Sequence, residues 1–306
     1  MPKCQVCHRW HFLAKDLTLR KRIMVKKPLQ SKAFSSLVQY HFTNVLEEFK
    51  LWKSYHESLM PIRKNVWKKL TRRSDNLKKL VLMSCSLKSA SLKDLPSNIE
   101  HFSIRRSEIY SDVFFGPNPG LCVPHLVCLD VGGVSNVFTS EDMPAINTIT
   151  SLRALYLEGC FRINNAGIEA IVGILPQLEI LDVEGTDISD EGAAIIFDYC
   201  TNLRDLYIGH TRVGDIALSS AKKEALPCLE TFCVRNNNVS PEGLDKFLSH
   251  RMHILTKVIF TNSDEFDFCA CLNNEFPVSF KTNGAFLILA GCQCQHYLTN
   301  KTYGFN

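Results

Sequence analysis

Leu152-Arg153-Ala154-Leu155-Tyr156-Leu157-Glu158-Gly159-Cys160-Phe161-Arg162-Ile163-Asn164-Asn165-Ala166-Gly167-Ile168 is the stretch that decides the fold. Leu155 and Leu157 alternate as on a strand buried on one face, and Leu152 leads into them. Cys160 and Ile163 punctuate a turn, and Asn164 is a helix-start residue ahead of Ala166-Gly167-Ile168. The template apolar-x-x-apolar-x-apolar returns along the chain as Leu77/Leu80/Leu82, Ile99/Phe102/Ile104, Leu126/Leu129/Val131, Leu178/Leu181/Val183, Leu203/Leu206/Ile208, Leu229/Phe232/Val234 and Leu255/Val258/Phe260. Counting the Leu152 copy, the first positions lie 22, 27, 26, 26, 25, 26 and 26 residues apart. A register held through so many copies is the mark of a stacked repeat.

The rest of each unit repeats as well. Eight residues after the first anchor stand Cys85, Ser107, Val134, Cys160, Thr186, Thr211, Asn237 and Ser263. All but Val134 are small and able to hydrogen-bond, as a turn with inward-facing backbone groups requires. A further apolar residue follows: Leu87, Ile109, Val137, Ile163, Ile188, Val213, Val239 and Phe266. Ser189 before Asp190-Glu191-Gly192, and Ser240 before Pro241-Glu242-Gly243, then open short helices. Helices are expected over Ile168–Leu175, Ala193–Cys200 and Leu244–His250, so each unit is a strand, a turn and a helix.

This pattern resembles the leucine-rich repeat in its cysteine-containing form, over roughly residues 75–265. The resemblance implies an α/β right-handed solenoid of about eight repeats. Its parallel sheet lines the concave face and its helices lie outside. Residues 266–306 form a C-terminal cap, with Phe286-Leu287-Ile288-Leu289 as its strand, because the end of a stack must cover its core.

Ahead of the repeats, Val6, Trp10 and Leu13 share one helical face. The string Val6-Cys7-His8-Arg9-Trp10, then Leu13-Ala14, Asp16 and Leu19, resembles the second half of an F-box, with Arg20 where that family usually has a second Trp. The Leu-Pro-x-Glu helix that opens the family's motif does not precede it, so residues 1–27 are expected to be a short α-helical remnant. An F-box joined to leucine-rich repeats implies a non-catalytic substrate receptor of a Skp–cullin–F-box (SCF) ubiquitin ligase. Val6, Cys7, Trp10, Leu13, Leu17 and Leu19 would then meet a Skp-type adaptor bound to a cullin, and the repeats would hold a protein target destined for degradation. A leucine-rich-repeat scaffold without ligase coupling is the alternative.

Charge divides the chain. Residues 1–80 hold 19 Lys and Arg against 5 Asp and Glu, and the remainder holds 16 against 26. Residues 28–74 are expected to be a basic helical linker or cap, with Phe34, Leu37, Val38, Phe42, Val45, Leu46 and Phe49 on one amphipathic helix. A nucleic-acid-binding role for this basic region is a further alternative. No recognised binding module surrounds it and charge runs are usually solvated, so nucleic acid is not the expected partner.

Other chemistry is not encoded. Cys4-Gln5-Val6-Cys7-His8 spells a haem-attachment string without the export signal that chemistry needs. Cys4, Cys7, His8 and His11 lack a second pair at zinc-finger spacing, so neither metal nor cofactor is expected. The carboxylates Asp182, Glu184, Asp187, Asp190 and Glu191 fall at strand, turn and helix-start positions, which needs no catalysis. The 13 cysteines, odd in number and with no secretory signal ahead of them, read as buried thiols, including the alternating pairs Cys269/Cys271 and Cys292/Cys294. Cytoplasm or nucleus is the expected location. No run of eighteen apolar residues occurs, and no membrane partner is expected.

With the anchors pointing into the core, the alternate strand residues line the concave face. Asp130, Tyr156, Glu158, Asp182, Glu184, Asp205 and Tyr207 are therefore expected to point to solvent as one acidic, tyrosine-bearing patch that holds the target through a basic segment of it, with Arg204 and Arg235 at its edges.

Overall fold

The computed structural model describes residues 16, 20–52, 59–134, 137–251, 254–260 and 286–289. Its strands are β1 (Arg22–Val25), β2 (Glu48–Leu51), β3 (Met60–Pro61), β4 (Lys79–Leu82), β5 (Cys85–Ser86), β6 (His101–Ser103), β7 (Cys128–Asp130), β8 (Ala154–Tyr156), β9 (Ile180–Asp182), β10 (Asp205–Tyr207), β11 (Thr231–Cys233), β12 (Lys257–Phe260) and β13 (Phe286–Leu289). Strands β3 and β5 form a small parallel pair. The others make one parallel sheet in chain order. The helices are α1 (Ser31–His41), α2 (Lys64–Arg73), α3 (Ser111–Phe115), α4 (Pro119–Cys122), α5 (Met143–Asn147), α6 (Asn165–Glu169), α7 (Asp190–Tyr199), α8 (Asp215–Ser220) and α9 (Pro241–Leu248). The fold is an α/β leucine-rich-repeat solenoid.

Every anchor of the repeating template is buried, from Leu77, Leu80 and Leu82 to Leu255, Val258 and Phe260. Central strand residues pair in one row, Leu129 with Leu155, Leu155 with Leu181, and Leu181 with Leu206. Each repeat thus covers the apolar face of the next, and burying each such side chain contributes about 1.5–3 kcal/mol. The units 77–138 carry only short outer helices, and rings fill the volume instead: Trp67, Phe102, Phe114, Phe115 and Phe138 touch in sequence.

The strands begin on a shared backbone device. The Arg153 carbonyl accepts the N–H groups of both Glu179 and Ile180, at 2.7 and 3.0 Å. Glu179 then accepts from Arg204 and Asp205 at 2.8 and 3.0 Å, and Arg204 from Glu230 and Thr231 at 2.7 and 2.8 Å. The turn after each strand uses the expected polar column: Thr186 Oγ1 donates to the Val183 carbonyl at 2.6 Å, Thr211 Oγ1 to Ile208 at 2.7 Å, and Asn237 Nδ2 to Ile208 at 2.8 Å. One residue earlier the backbone is left-handed in successive repeats, at Ser84, Arg106, Gly133, Gly159, Gly185, His210 and Asn236. The helix starts are capped as the sequence indicates at two sites, Asn164 accepting from Ala166 N–H and Ser240 from Gly243 N–H. Ser189 is the N-cap of α7 without accepting such a bond; its own N–H donates to Asn165 Oδ1 at 2.9 Å.

The N-terminal region departs from the expectation. Residues 28–74 are not a repeat-free helical linker, because β2 pairs with both β1 and β4 in the main sheet. Leu46, Phe49 and Leu51 are buried as a further copy of the template. The amphipathic helix stops at His41: Phe34 and Val38 face the core from α1, Phe42 is already extended, and Phe49 sits on a strand. Phe49 packs against Phe42 and Phe34 at ring-centre distances of 4.8 and 6.0 Å. Nor do residues 1–27 end outside the solenoid, since β1 is its first strand. At the other end, β13 pairs in register with β12. Ser263, Phe266, Cys269, Cys271, Cys292 and Cys294 lie outside the described residues.

Candidate concave binding face

Two rows of side chains stand on the inner face of the sheet. Reading across the strands, one row runs His101, Cys128, Ala154, Ile180, Asp205, Thr231 and Lys257. The other runs Ser103, Asp130, Tyr156, Asp182, Tyr207, Cys233 and Ile259. The expected register is therefore present, and Asp130, Tyr156, Asp182 and Tyr207 are neighbours on adjacent strands.

Solvent exposure is the correction. Asp130 and Asp182 are 0% exposed, Glu184 2% and Tyr156 3%. The inner arc of a curved stack is shorter than its outer arc, so side chains on it crowd and cover one another. Tyr156 packs with Cys128, Ala154 and Ile180 in a small cluster on the concave side. The two aspartates hold backbone: Asp130 Oδ1 accepts from Gly132 N–H at 3.0 Å and its Oδ2 from Ser103 Oγ at 2.9 Å, while Asp182 Oδ1 accepts from Glu184 N–H at 3.1 Å. Burial pushes the Asp130 carboxyl above the usual carboxylate range, against the pull of Arg105, Gly132 N–H and Ser103. Burial likewise drives the Tyr156 hydroxyl far up. Of the expected patch, Glu158, Asp205 and Tyr207 keep partial exposure and remain able to touch a partner.

Beyond the strand ends lies a third row, of which the alternation singles out only Glu158 and Glu184. It reads Arg105, Gly132, Glu158, Glu184, Gly209 and Arg235 over six consecutive repeats. Arg105 reaches across Gly132 to hydrogen-bond Glu158, and its Nη1 lies 3.5 Å from Asp130. Arg235 reaches the opposite way, across Gly209, to Glu184. Both glycines are where a side chain would collide: a Cβ at Gly132 would lie 3.1 Å from the Arg105 guanidinium carbon, and one at Gly209 would lie 2.7 Å from Arg235 Cγ. Arg235 therefore does not sit at the patch edge but neutralises its centre, while Arg204 pairs with Glu230 at 2.5 Å on the rim. The signal is present in the aligned repeats as matched Arg-Gly-Glu and Glu-Gly-Arg triplets.

The N-terminal end of the same face is basic. Glu48 is shared by Lys50 at 2.9 Å, Arg22 at 3.6 Å and Lys79 at 3.8 Å. Burial, then the Lys79 ammonium, holds the His101 imidazole below its usual value. The face thus grades from cationic at β1–β6 to anionic near β8–β10, which favours a partner of complementary polarity.

The expected adaptor contacts Val6, Cys7, Trp10, Leu13, Leu17 and Leu19 lie outside the described residues, as do Cys4, His8 and His11. Among the described residues no cluster of His, Cys, Asp or Glu suited to a metal ion occurs, and no helix is long and apolar enough to cross a membrane.

A family model described as "Leucine Rich repeat" matches residues 176–196. F-box/LRR-repeat protein 12 of Homo sapiens is 25% identical over 245 residues, which cover 78% of this chain and 73% of that protein. The Mus musculus protein of the same name is 23% identical over the same length. The fold is the leucine-rich-repeat solenoid, and the chain is similar to the F-box/LRR-repeat proteins. Two solved structures are also similar to this chain. A chain of the crystal structure of the Rad7 and Elc1 complex in yeast is 16% identical at a TM-score of 0.49, with 72% of this chain and 51% of that chain covered. An internalin from Listeria monocytogenes is 14% identical at 0.43, with 73% and 62% covered.

Proposed function

We propose that this chain is the substrate-recognition subunit of an SCF-type ubiquitin ligase. Residues 1–27 would contact a Skp-type adaptor, itself held by a cullin. The concave face would hold a protein target for ubiquitination and proteasomal degradation. The observation that carries the reading is the similarity to F-box/LRR-repeat protein 12 over most of both chains, joined to the F-box-like string from Val6 to Leu19. In this reading the chain performs no bond chemistry. A bound conjugating enzyme supplies it, and the receptor contributes proximity and choice of target. The work would take place in the cytoplasm or nucleus.

Target contact falls to the half-exposed side chains Glu158, Asp205 and Tyr207, with the buried Asp130, Tyr156, Asp182 and Glu184 shaping the floor beneath them. A target segment with Lys or Arg suits the anionic part of the face. The test is affinity purification of the full chain from cells, beside an Asp205→Lys/Tyr207→Ala variant. Adaptor and cullin should be recovered equally with both, and ubiquitinated targets should be depleted from the variant. Equal target recovery by a folded variant would move the target site off the concave face, and absence of adaptor and cullin from both would remove the ligase reading in favour of a scaffold without ligase coupling.

A further inference from the structure

Several surface cations on this solenoid are compensated from the neighbouring repeat. Lys21 pairs with Glu47, Lys78 with Glu100, Lys88 with Glu108, Arg204 with Glu230, Arg212 with Asp187 and Lys222 with Asp198. Helix α2 is different. Arg63, Lys64, Lys68, Lys69, Arg72 and Arg73 lie on or beside it, and no carboxylate occurs in the sequence between Glu57 and Asp75. Among the described residues none of these six has an ion pair; Lys69 instead hydrogen-bonds Gln39, and Arg73 Nε donates to the Phe42 carbonyl at 3.2 Å.

This arrangement opposes helix stability in two ways. Lys64, Lys68 and Arg72 stand four residues apart on one stripe, and Lys69 and Arg73 on another, so like charges face each other. Arg63 and Lys64 also sit at the positive end of the helix dipole, with no acidic residue in the first turn and no side-chain cap. What holds α2 in place is its other face, where Val66, Trp67 and Leu70 are buried.

We propose that the outer face of α2 binds the phosphate backbone of a nucleic acid. Two cationic stripes on a rigid helix match a polyanion whose affinity comes from releasing counterions. The face offers no apolar anchor, because every large apolar side chain of α2 points inward. A protein partner would therefore lack a hot spot there, and a membrane would lack an inserting residue. On the adjoining α1, Tyr40 is 66% exposed and follows the Gln39 that Lys69 grips, which places one aromatic surface beside the stripes. A basic run in sequence reads as a solvated face by default; six cations within the eleven residues 63–73, on one folded helix and with no carboxylate among them, are what separates α2 from one.

The experiment uses the full chain and a fluorescein-labelled DNA duplex, read by anisotropy over a salt series. The wild type should bind with an affinity that falls steeply with salt. Lys64→Gln/Lys68→Gln/Arg72→Gln should bind at least tenfold more weakly. Its slope of log K against log salt should be shallower by about 2.7, at roughly 0.9 for each phosphate no longer neutralised. Lys64→Arg/Lys68→Arg/Arg72→Lys should bind as the wild type does, and so should Lys222→Gln, which removes a paired cation elsewhere. Urea midpoints confirm that each variant is folded. A salt-insensitive wild type, an unchanged triple variant, or tighter binding to phosphatidylserine vesicles or polyglutamate than to the duplex would each overturn the proposal.

Discussion

Arg235 and Glu184 are 51 residues apart in sequence and hydrogen-bonded in space, with the guanidinium crossing the intervening repeat over Gly209. Glu184 is almost wholly buried, and His210 Nε2 lies 3.9 Å from its carboxylate. Like Arg105 with Glu158, the pair ties together three repeats of the stack. Removing Arg235 strands a buried carboxylate, so Arg235→Ala should cost about 3 kcal/mol. Gly209→Val should be destabilising in the wild type and cost less in the Arg235→Ala background, which removes the nearest collision, with Arg235 Cγ at 2.7 Å, but leaves Glu184 Oε1 at 3.0 Å and the Arg235 carbonyl at 3.1 Å. Urea midpoints of the two single variants and the double variant measure both.

Leu155 and Tyr156 test the two faces of one strand. Leu155→Ala should cost about 2–5 kcal/mol as a core truncation. Tyr156→Ala should cost about 3 kcal/mol rather than a few tenths, because Tyr156 is buried on the concave side against Cys128 and Ile180. Equilibrium denaturation of both variants checks this, and a near-neutral Tyr156→Ala would mean that the concave floor is open.

The same residue shows how far the sequence could be read. Leu155, Leu181 and Leu206 carry a fixed spacing, so the strand register, the sheet and the side on which Tyr156 stands all followed from the pattern. Burial on the concave side did not follow, because it depends on curvature and on Arg105 and Arg235 arching inward from two repeats away. Leu46, Phe49 and Leu51 match the template too, yet the next copy starts 31 residues later, at Leu77, across the longer α2. Val38, Phe42, Val45 and Phe49 also happen to fit helical spacing, so periodicity alone favoured one continuous helix.

The left-handed turn position gives a third prediction. Gly159 and Gly185 have φ of 72° and 68°. Gly185→Ala should destabilise by about 1–2 kcal/mol for backbone reasons alone. His210 holds the equivalent position at φ 53°. His210→Gly should therefore be tolerated, and thermal unfolding of the two variants should order them that way.

Burial raises the Asp205 carboxyl, with the Thr231 hydroxyl opposing it. A carboxyl whose folded value lies above its unfolded value favours folding when protonated, and that contribution is lost as pH rises through the folded value. Asp205→Asn should therefore be more stable than the wild type at neutral pH, and the difference should shrink toward about pH 4. Urea titrations at the two pH values read it directly; a difference that grows on acidification would contradict the sign.

Thiol reactivity gives a fifth. Burial pushes the Cys128, Cys160 and Cys200 thiols up to about 12, whereas Cys228 is exposed. Maleimide should label Cys228 in the native protein within minutes and the other three only after unfolding, as peptide mapping would show.

The central proposal is that this chain couples a target to a ligase through residues 1–27. Calorimetric titration of a purified Skp-type adaptor into the full chain tests it most directly. A stoichiometric complex is predicted for the wild type, lost in Trp10→Ala/Leu13→Ala while the urea midpoint of the solenoid stays unchanged. No heat of binding from a wild-type chain with an intact solenoid would contradict it.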